Sequence, residues 1–315
     1  MQDLRTRRRL PHIQVNGNVL RVYAGITLLC GSIGSSVVQY GILHAQDLSG
    51  AQLQSMMAAD PSVMLTATWA VVLRLLGGLA VPVLAFLLTE RFMKSQNDGR
   101  ELLWLLALAV ISEVPYDMAM GGSLFDLSRQ SLMCSLVISF IMLYGLRMFA
   151  ASRAVQLLIV LAAALWGSLF RADFALGLVA LTAVFYILRD SPGKRLVWSG
   201  VIGLVLYVTA PLSNLVIKNY DGQAGSSWSR DLFGCLYPAH LLILAAIQGL
   251  ALIVENSYDN SIIFIWLATY SCGLQNSMTS KYSGNAVRTT PLTGASTDFG
   301  IALGHILKGR RDEWW

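Results

Sequence analysis

The sequence predicts an all-α integral membrane protein, a polytopic bundle of about eight to ten transmembrane helices. Hydrophobic residues make up 55% of the 315 residues, only 13% are charged, and the mean hydropathy is +0.57. Soluble domains usually have about a quarter of their residues charged. Apolar runs near the roughly 20 residues that a helix needs to cross about 30 Å of hydrocarbon recur along the chain. The lipid bilayer is therefore the first predicted partner.

The candidate spans follow one another at residues 19–43, 64–88, 102–120, 132–149, 155–170, 174–188, 196–217, 236–254 and 262–278, with a marginal one at 291–307. Lys and Arg are concentrated in alternate loops, so the positive-inside rule predicts a cytoplasmic N-terminus in a multi-pass protein of the cytoplasmic (inner) membrane. The loop after the eighth span has no Lys or Arg and does not fit this alternation. The same distribution explains the net charge of +5, so no nucleic-acid binding is predicted.

The third span, residues 102–120, carries two carboxylates and a proline in an otherwise apolar run. Glu113 and Asp117 are four residues apart, so a helix places them on one face, and Pro115 between them frees the carbonyl of Ile111. A carboxylate near the bilayer centre costs about 2.5–3.5 kcal/mol on insertion scales. Carboxylates kept at that cost indicate a functional site.

Depth in the membrane suggests a partner for one of these carboxylates. Arg74 lies about ten residues from the outer end of the second span, and Glu113 about eleven from the inner end of the third. Both fall near the midplane, where each is costly alone and tolerable as a pair. We predict that Arg74 pairs with Glu113, either to shape a site or as a purely structural contact, and that Asp117 lies nearer the outer surface.

Other polar residues are predicted to converge on the outer half of the bundle. If the eighth span runs from outside to inside, His240 lies about four residues from the outer face, level with Asp117. Arg171 and Asp173 occupy a short outer turn, and the outer approach to the eighth span is marked by Asn214, Asn219, Asp221 and Arg230. A histidine beside carboxylates transfers protons near neutral pH. The alternative is that His240 only satisfies a backbone carbonyl.

Two further sets of side chains give weaker signals. Glu90, followed by Arg91 at the inner boundary, is either an interfacial charge or part of the site. The four cysteines show no CxxC spacing, so no metal site is predicted.

Several sequence blocks resemble the TraX family, membrane proteins associated with acetylation of conjugative pilin. The blocks are residues 73–92, 105–120, 171–181, 219–225 and 236–244, in family order over about residues 19–252. The resemblance implies that residues 1–254 form a membrane acyltransferase that uses acyl-CoA, such as acetyl-CoA, to modify an acceptor amine or hydroxyl. The candidate catalytic residues that it implies are His240, Asp117, Glu113 and Asp173. The candidate substrate-binding or structural residues are Arg74, Glu90 and Arg171.

One departure from the family lies in the first helix. The family commonly carries an adjacent Asp-His pair there, whereas this chain has Gly31 and Ser32. If that histidine is the family's base, this protein is inactive, uses His240 instead, or does something else. A Ser32 nucleophile is conceivable but has no base on its own helix.

The C-terminal part has a different character. Residues 270–307 resemble part of a YoaK-like membrane family of unknown function, so residues 255–315 are predicted to be a separate membrane segment. Two alternatives to acyl transfer stay open at this level: a transporter or proton-coupled carrier, because ionisable residues beside a proline-broken helix are typical of a transport path, and an inactive structural or assembly protein.

Overall fold

The computed structural model describes residues 15–45, 47–121, 125–126 and 128–257, without the side chains of 227–230 and 251–257. The chain divides into two compact units, Met1–Gly249 and Leu250–Trp315, and the first is described below. Within the described residues the protein is helical, with two isolated β-bridges and no strand. The all-α prediction is confirmed. The predicted spans at 262–278 and 291–307, and the resemblance of the tail, lie outside the described residues.

The first half of the bundle is built from long helices. Helix α1 continues into a π-helical segment, Gly34–Ile42, and a short α2 follows before α3 and α4, which are separated only at Leu79. The bounds are α1 Gly17–Ile33, α2 Gly50–Ala59, α3 Pro61–Gly78, α4 Ala80–Lys94 and α5 Asp98–Gly121.

The second half has shorter helices and one long one. The bounds are α6 Leu132–Met148, α7 Arg153–Leu169, α8 Ala175–Ile187, α9 Pro192–Leu206, a 3-10 turn at Ala210–Ser213, α10 Asn214–Lys218 and α11 Ser227–Ser257. Four stretches are long and apolar enough to cross a bilayer, namely Gly17–Ile42, Pro61–Lys94, Asp98–Gly121 and Asp231–Leu250. Together with the shorter apolar α6, α7 and α8, they confirm a polytopic membrane bundle.

Local sequence explains where the first helices begin. The side chain of Asn16 accepts hydrogen bonds from the backbone N–H groups of Asn18 and Val19 at 3.0 and 3.1 Å, which satisfies donors that the first turn of α1 leaves unpaired. Asp60 caps α3 in the same way, and Pro61 occupies the first helical position, where its missing N–H is not needed.

Aromatic contacts between α4, α6 and α8 form the centre of the bundle. Phe92 and Phe140 meet edge to face with ring centroids 5.3 Å apart, and Phe86 and Phe185 do so at 5.5 Å. All four rings are fully buried. Such pairs contribute about 0.5–1.5 kcal/mol beyond the burial of their area.

The two ends of the bundle differ in charge. One end, called here the basic end, carries Arg21, Arg91, Lys94, Arg147, Arg153, Arg189, Lys194, Arg195 and Lys218, with ion pairs from Arg91 to Glu101 and from Arg147 to Asp98. The other end is called the opposite end. It is uneven, because α8 has only 13 residues and is about 20 Å long, whereas Pro61–Lys94 covers 34 residues and about 50 Å. The turn that precedes α8 therefore lies in a recess.

The predicted span at 196–217 is not one helix, and that prediction is wrong. Helix α9 ends at Leu206, and the chain turns back along it, with Asn214 donating to the carbonyl of Leu196 and accepting from the hydroxyl of Ser199, both at 3.0 Å. Pro211 cannot donate a backbone hydrogen bond and does not continue α9. The segment Pro192–Lys218 is thus a hairpin that enters from the basic end and returns to it.

The return of the hairpin corrects the placement of the polar residues after it. Asp221 donates its backbone N–H to the carbonyl of Val15 at 3.0 Å, and Lys94 Nζ donates to the carbonyl of Gly222 at 2.8 Å. Residues 219–224 therefore lie at the basic end. The predicted position of Asn219 and Asp221 at the outer approach is wrong.

Helix α11 consequently runs in the direction opposite to the predicted one. It begins beside the start of α1, where the backbone N–H of Ser226 donates to Asn18 Oδ1 at 3.2 Å. Farther along, Phe233 lies beside Gly25, and Gln248 contacts Gly41. The helix thus rises parallel to α1 toward the opposite end.

Candidate functional site

A cavity of about 500 Å³ opens in the opposite half of the bundle, and it is called here the central cavity. Its walls come from α1 and the π-helical segment, α3, α5, the turn before α8, the tip of the hairpin and α11. The polar side chains that line it are Ser32, Ser35, Gln39, Tyr40, Arg74, Tyr116, Arg129, Asp173, Tyr207, Thr209 and Tyr237.

Ser32, in the wall of this cavity, contacts a histidine that is not part of the lining. His240 Nε2 lies 3.1 Å from Ser32 Oγ, and His240 Nδ1 lies 3.2 Å from the carbonyl oxygen of Leu236. A carbonyl only accepts, so Nδ1 carries the proton of the neutral ring and Nε2 is left to accept from the serine hydroxyl. Ser32 is 8% exposed and lines the cavity. The pair has the hydrogen-bond geometry of a nucleophile with its base.

Close packing of two glycines fixes the position of Ser32. Gly31 and Gly77 bring α1 and α3 together so closely that a Cβ on Gly31 would lie 2.8 Å from the Cα of Gly77. Small residues at such crossings let membrane helices approach. Ser32, the next residue along α1, is thereby held between α3 and α11.

Asp173 forms the second polar centre of the cavity. It lies in the tight turn between α7 and α8, where Arg171 and Phe174 adopt left-handed φ angles of 50° and 58°. Its backbone N–H donates to the carbonyl of Gln130 at 3.0 Å, which ties the turn to the segment before α6. The side chain interacts with the hydroxyl of Tyr116 and is half-buried.

Burial raises the pKa of Asp173, while the Tyr116 hydroxyl and the positive charges of Arg129 and Arg74 oppose that rise. Arg129 donates to the hydroxyl of Tyr40, and its guanidinium lies 5.8 Å from the centre of that ring. The cavity therefore holds one carboxylate and two guanidinium groups within electrostatic reach of one another.

A comparison with protein families assigns the chain to a family. A family model described as "TraX protein" matches residues 53–248, which is 196 of the 315 residues. The chain belongs to the TraX family. No curated protein and no solved structure matches the chain. The TraX match includes Arg74, Asp173 and His240 but begins after Ser32.

The predicted pairing of Arg74 with Glu113 is wrong in this TraX protein. Arg74 Nη1 donates to Gln39 Oε1 at 2.8 Å, across the contact between α3 and the π-helical segment. Glu113 Oε2 instead accepts the backbone N–H of Ser131 at 3.3 Å, at the start of α6. The depth estimate places a residue along the helix axis but does not fix the direction in which its side chain points.

Glu113 and Asp117 both hold the segment before α6. Asp117 is 3% exposed, and its Oδ2 accepts the backbone N–H of Asp126 at 2.9 Å. Glu113 lies at the N-terminus of α6, where a carboxylate is stabilised by the helix dipole. These contacts give the two carboxylates an anchoring role, and no hydrogen bond of His240 within the described residues reaches either of them.

The two other residues of the predicted site lie away from the central cavity. Glu90 is at the basic end, where its Oε2 is 2.7 Å from Lys94 Nζ, and lines a second cavity of about 310 Å³ with Arg21, Arg91, Lys94 and Tyr220. Arg171 is exposed in the turn before α8. The central cavity brings together Arg74, Asp173 and Ser32, with His240 in contact with Ser32, but includes neither Glu90 nor Arg171.

Sequence reasoning missed Arg129 and the tyrosines of the cavity. Arg129 lies between α5 and α6, in a loop that the positive-inside rule places outside. A basic residue on that side is an exception to the charge pattern, and this exception was the available signal. Tyr116, Tyr207 and Tyr237 gave none, because aromatic residues are common in apolar helices.

Proposed function

We propose that this TraX protein is a membrane-embedded acyltransferase in which Ser32 is the nucleophile and His240 its base. The hydrogen bond between Ser32 Oγ and His240 Nε2 at the wall of the central cavity carries the proposal. It supplies from α11 the base that α1 lacks. The Leu236 carbonyl holds the His240 ring in the tautomer that accepts the hydroxyl proton.

The reaction proceeds in two balanced steps. Ser32 Oγ attacks the acyl carbonyl while its proton passes to His240 Nε2, and the tetrahedral intermediate expels the leaving group, which takes that proton. The acyl-serine ester is then attacked by an amine or hydroxyl whose proton passes to His240, and Ser32 leaves with a proton restored. Positioned proton transfer of this kind contributes about 10²–10⁴-fold to the rate.

The donor and acceptor are assigned to opposite ends of the bundle. Acyl-CoA is the donor that the family resemblance implies. Arg21, Arg91 and Lys94 line the cavity at the basic end, where the CoA phosphates would compete with Glu101 and Glu90 for Arg91 and Lys94. The two cavities share no lining residue. If the basic end is cytoplasmic in the inner membrane, the central cavity faces an external or periplasmic acceptor, a protein or surface polymer.

Acyl-CoA turnover by the purified protein tests the proposal. We expect release of free CoA and a mass increase on Ser32, with turnover lowered about 10²-fold or more by Ser32→Ala and by His240→Ala. Ser36→Ala is the matched control, because Ser36 is a buried serine four residues along whose hydroxyl has no described partner. Equal turnover by wild type and Ser32→Ala would refute the nucleophile, and no acyl-CoA turnover by any protein would refute the enzyme.

A carrier is the second candidate, and the hairpin of α9 and α10 favours it. Interrupted helices that enter and leave at one face line substrate sites in transporters. Reconstituted protein that moves a solute or proton across a vesicle membrane, with Ser32→Ala as active as wild type, would favour the carrier over the acyltransferase.

A further inference from the structure

Arg74 and Arg129 form an excess of positive charge at the end where basic residues are rare. Among the residues that the structure describes, neither arginine makes an ion pair with a carboxylate. Their hydrogen bonds go to neutral partners, Gln39 and Tyr40. Asp173 is the carboxylate that lines the cavity beside them, and Asp126, outside the lining, also acts on Arg129. The residues that line the cavity therefore carry net positive charge that favours an anionic ligand.

One wall of the central cavity is apolar and faces outward from the bundle. On α3, Val71 and Leu75 lie one turn apart on the face that also carries Arg74, and they are 56% and 39% exposed. The tip of the hairpin supplies Leu206 and Val208, which are 37% and 69% exposed. These four residues are called here the apolar rim.

The hairpin tip of the apolar rim lies at the depth of the hydrocarbon, and Arg74 lies near the membrane surface. Helix α9 has 15 residues, so its tip is about 22 Å from the basic end. Arg74 is 17 residues from Arg91, or about 26 Å along α3 and α4. With a hydrocarbon core of about 30 Å, the hairpin tip lies among acyl chains, and the guanidinium, with the α3 part of the rim beside it, is close to the lipid head groups.

We propose that the central cavity binds an anionic membrane lipid, with its phosphate between Arg74 and Arg129 and its acyl chain leaving through the apolar rim. Guanidinium groups bind phosphate through paired, charge-assisted hydrogen bonds. Charge and depth together favour a lipid over a soluble anion, because a free phosphate makes no contact with an apolar wall that an acyl chain would cover. The lipid occupies this site whether or not Ser32 reacts.

Lipid binding to the delipidated full-length protein in a neutral detergent tests this assignment. Phosphatidylglycerol, phosphatidylcholine and inorganic phosphate are compared by thermal stabilisation and by the lipids retained in native mass spectrometry. We expect stabilisation by phosphatidylglycerol alone, with apparent affinity lowered about tenfold or more by Arg74→Gln and by Arg129→Gln. Arg171→Gln is the matched control, because Arg171 is an exposed arginine at the same end that does not line the cavity.

A photoactivatable phosphatidylglycerol gives a second readout that needs no variant. Crosslinks to residues 71–75 or 206–209 of the wild-type protein support the assignment. Equal stabilisation by phosphatidylcholine, the same effect from inorganic phosphate, or crosslinks confined to other surfaces would overturn it. Lipid binding is measured without acyl-CoA or turnover, so a failure of the acyltransferase proposal leaves this result interpretable.

Discussion

Gly31→Ala tests the helix contact on which the position of Ser32 depends. The added Cβ would lie 2.8 Å from the Cα of Gly77, whereas ordinary contacts begin near 3.4 Å, so α1 and α3 must separate by about 0.6 Å. Overpacking of this kind costs about 1–3 kcal/mol. Alanine in place of a helical glycine returns about 0.5–1 kcal/mol. We expect a net loss of about 1–2 kcal/mol in the free energy of unfolding.

Thermal unfolding in detergent, followed by calibrated denaturant titration, measures this loss. Gly249→Ala is the control, because the described part of the structure places no atom within 4 Å of its Cβ position. That control is expected to be neutral or stabilised by up to about 1 kcal/mol. If Gly31→Ala is as stable as Gly249→Ala, α1 and α3 do not meet at Gly31 and Gly77, and the derivation of the Ser32 position fails.

Three further changes test the assignments of the acidic residues. In a double-mutant cycle of Arg74→Gln and Glu113→Gln, the losses of stability are expected to add within about 0.5 kcal/mol, and a coupling above about 1 kcal/mol would restore the ion pair. Asp117→Asn keeps an acceptor oxygen for Asp126 and is expected to retain stability and turnover, whereas Asp117→Leu should lose about 1–3 kcal/mol of unfolding free energy. Because burial raises the pKa of Asp173, wild type should lose stability as the pH rises from the unfolded toward the folded pKa, and Asp173→Asn should flatten that part of the thermal unfolding profile.

Hydropathy in the sequence predicts most of the membrane helices correctly. It does not predict where the chain reverses or in which direction α11 runs. Long apolar runs correctly predict α5, α6, α7 and α8, because a membrane helix satisfies its backbone internally. Hydropathy does not distinguish a span from a hairpin, so it predicts one crossing for residues 196–217, although the run contains Ser199, Pro211 and Asn214. That error reversed α11 and with it the expected surroundings of His240.

Side-chain pairing between helices depends on the rotation of each helix about its axis, which the sequence alone does not give. Arg74 and Glu113 were matched by depth, but each points to a nearer partner on another element. Asp173 lies in the turn between α7 and α8, as the lengths of the spans on either side predict. Its contacts with Tyr116 and Arg129 depend on the rotation of α5 and on the conformation of the loop before α6. The spacing of residues in the sequence predicts neither.

The packing of α1 explains why Gly31 and Ser32 stand where the TraX resemblance leads one to expect an Asp-His pair. Gly31 is in backbone contact with Gly77, so an aspartate there would force α1 and α3 apart and widen the cavity. The absence of an ionisable pair from α1 therefore goes together with the close approach of α3. The base of the proposed Ser32 nucleophile then has to come from another helix. Helix α11 places His240 Nε2 3.1 Å from Ser32 Oγ, because it runs parallel to α1 from the basic end.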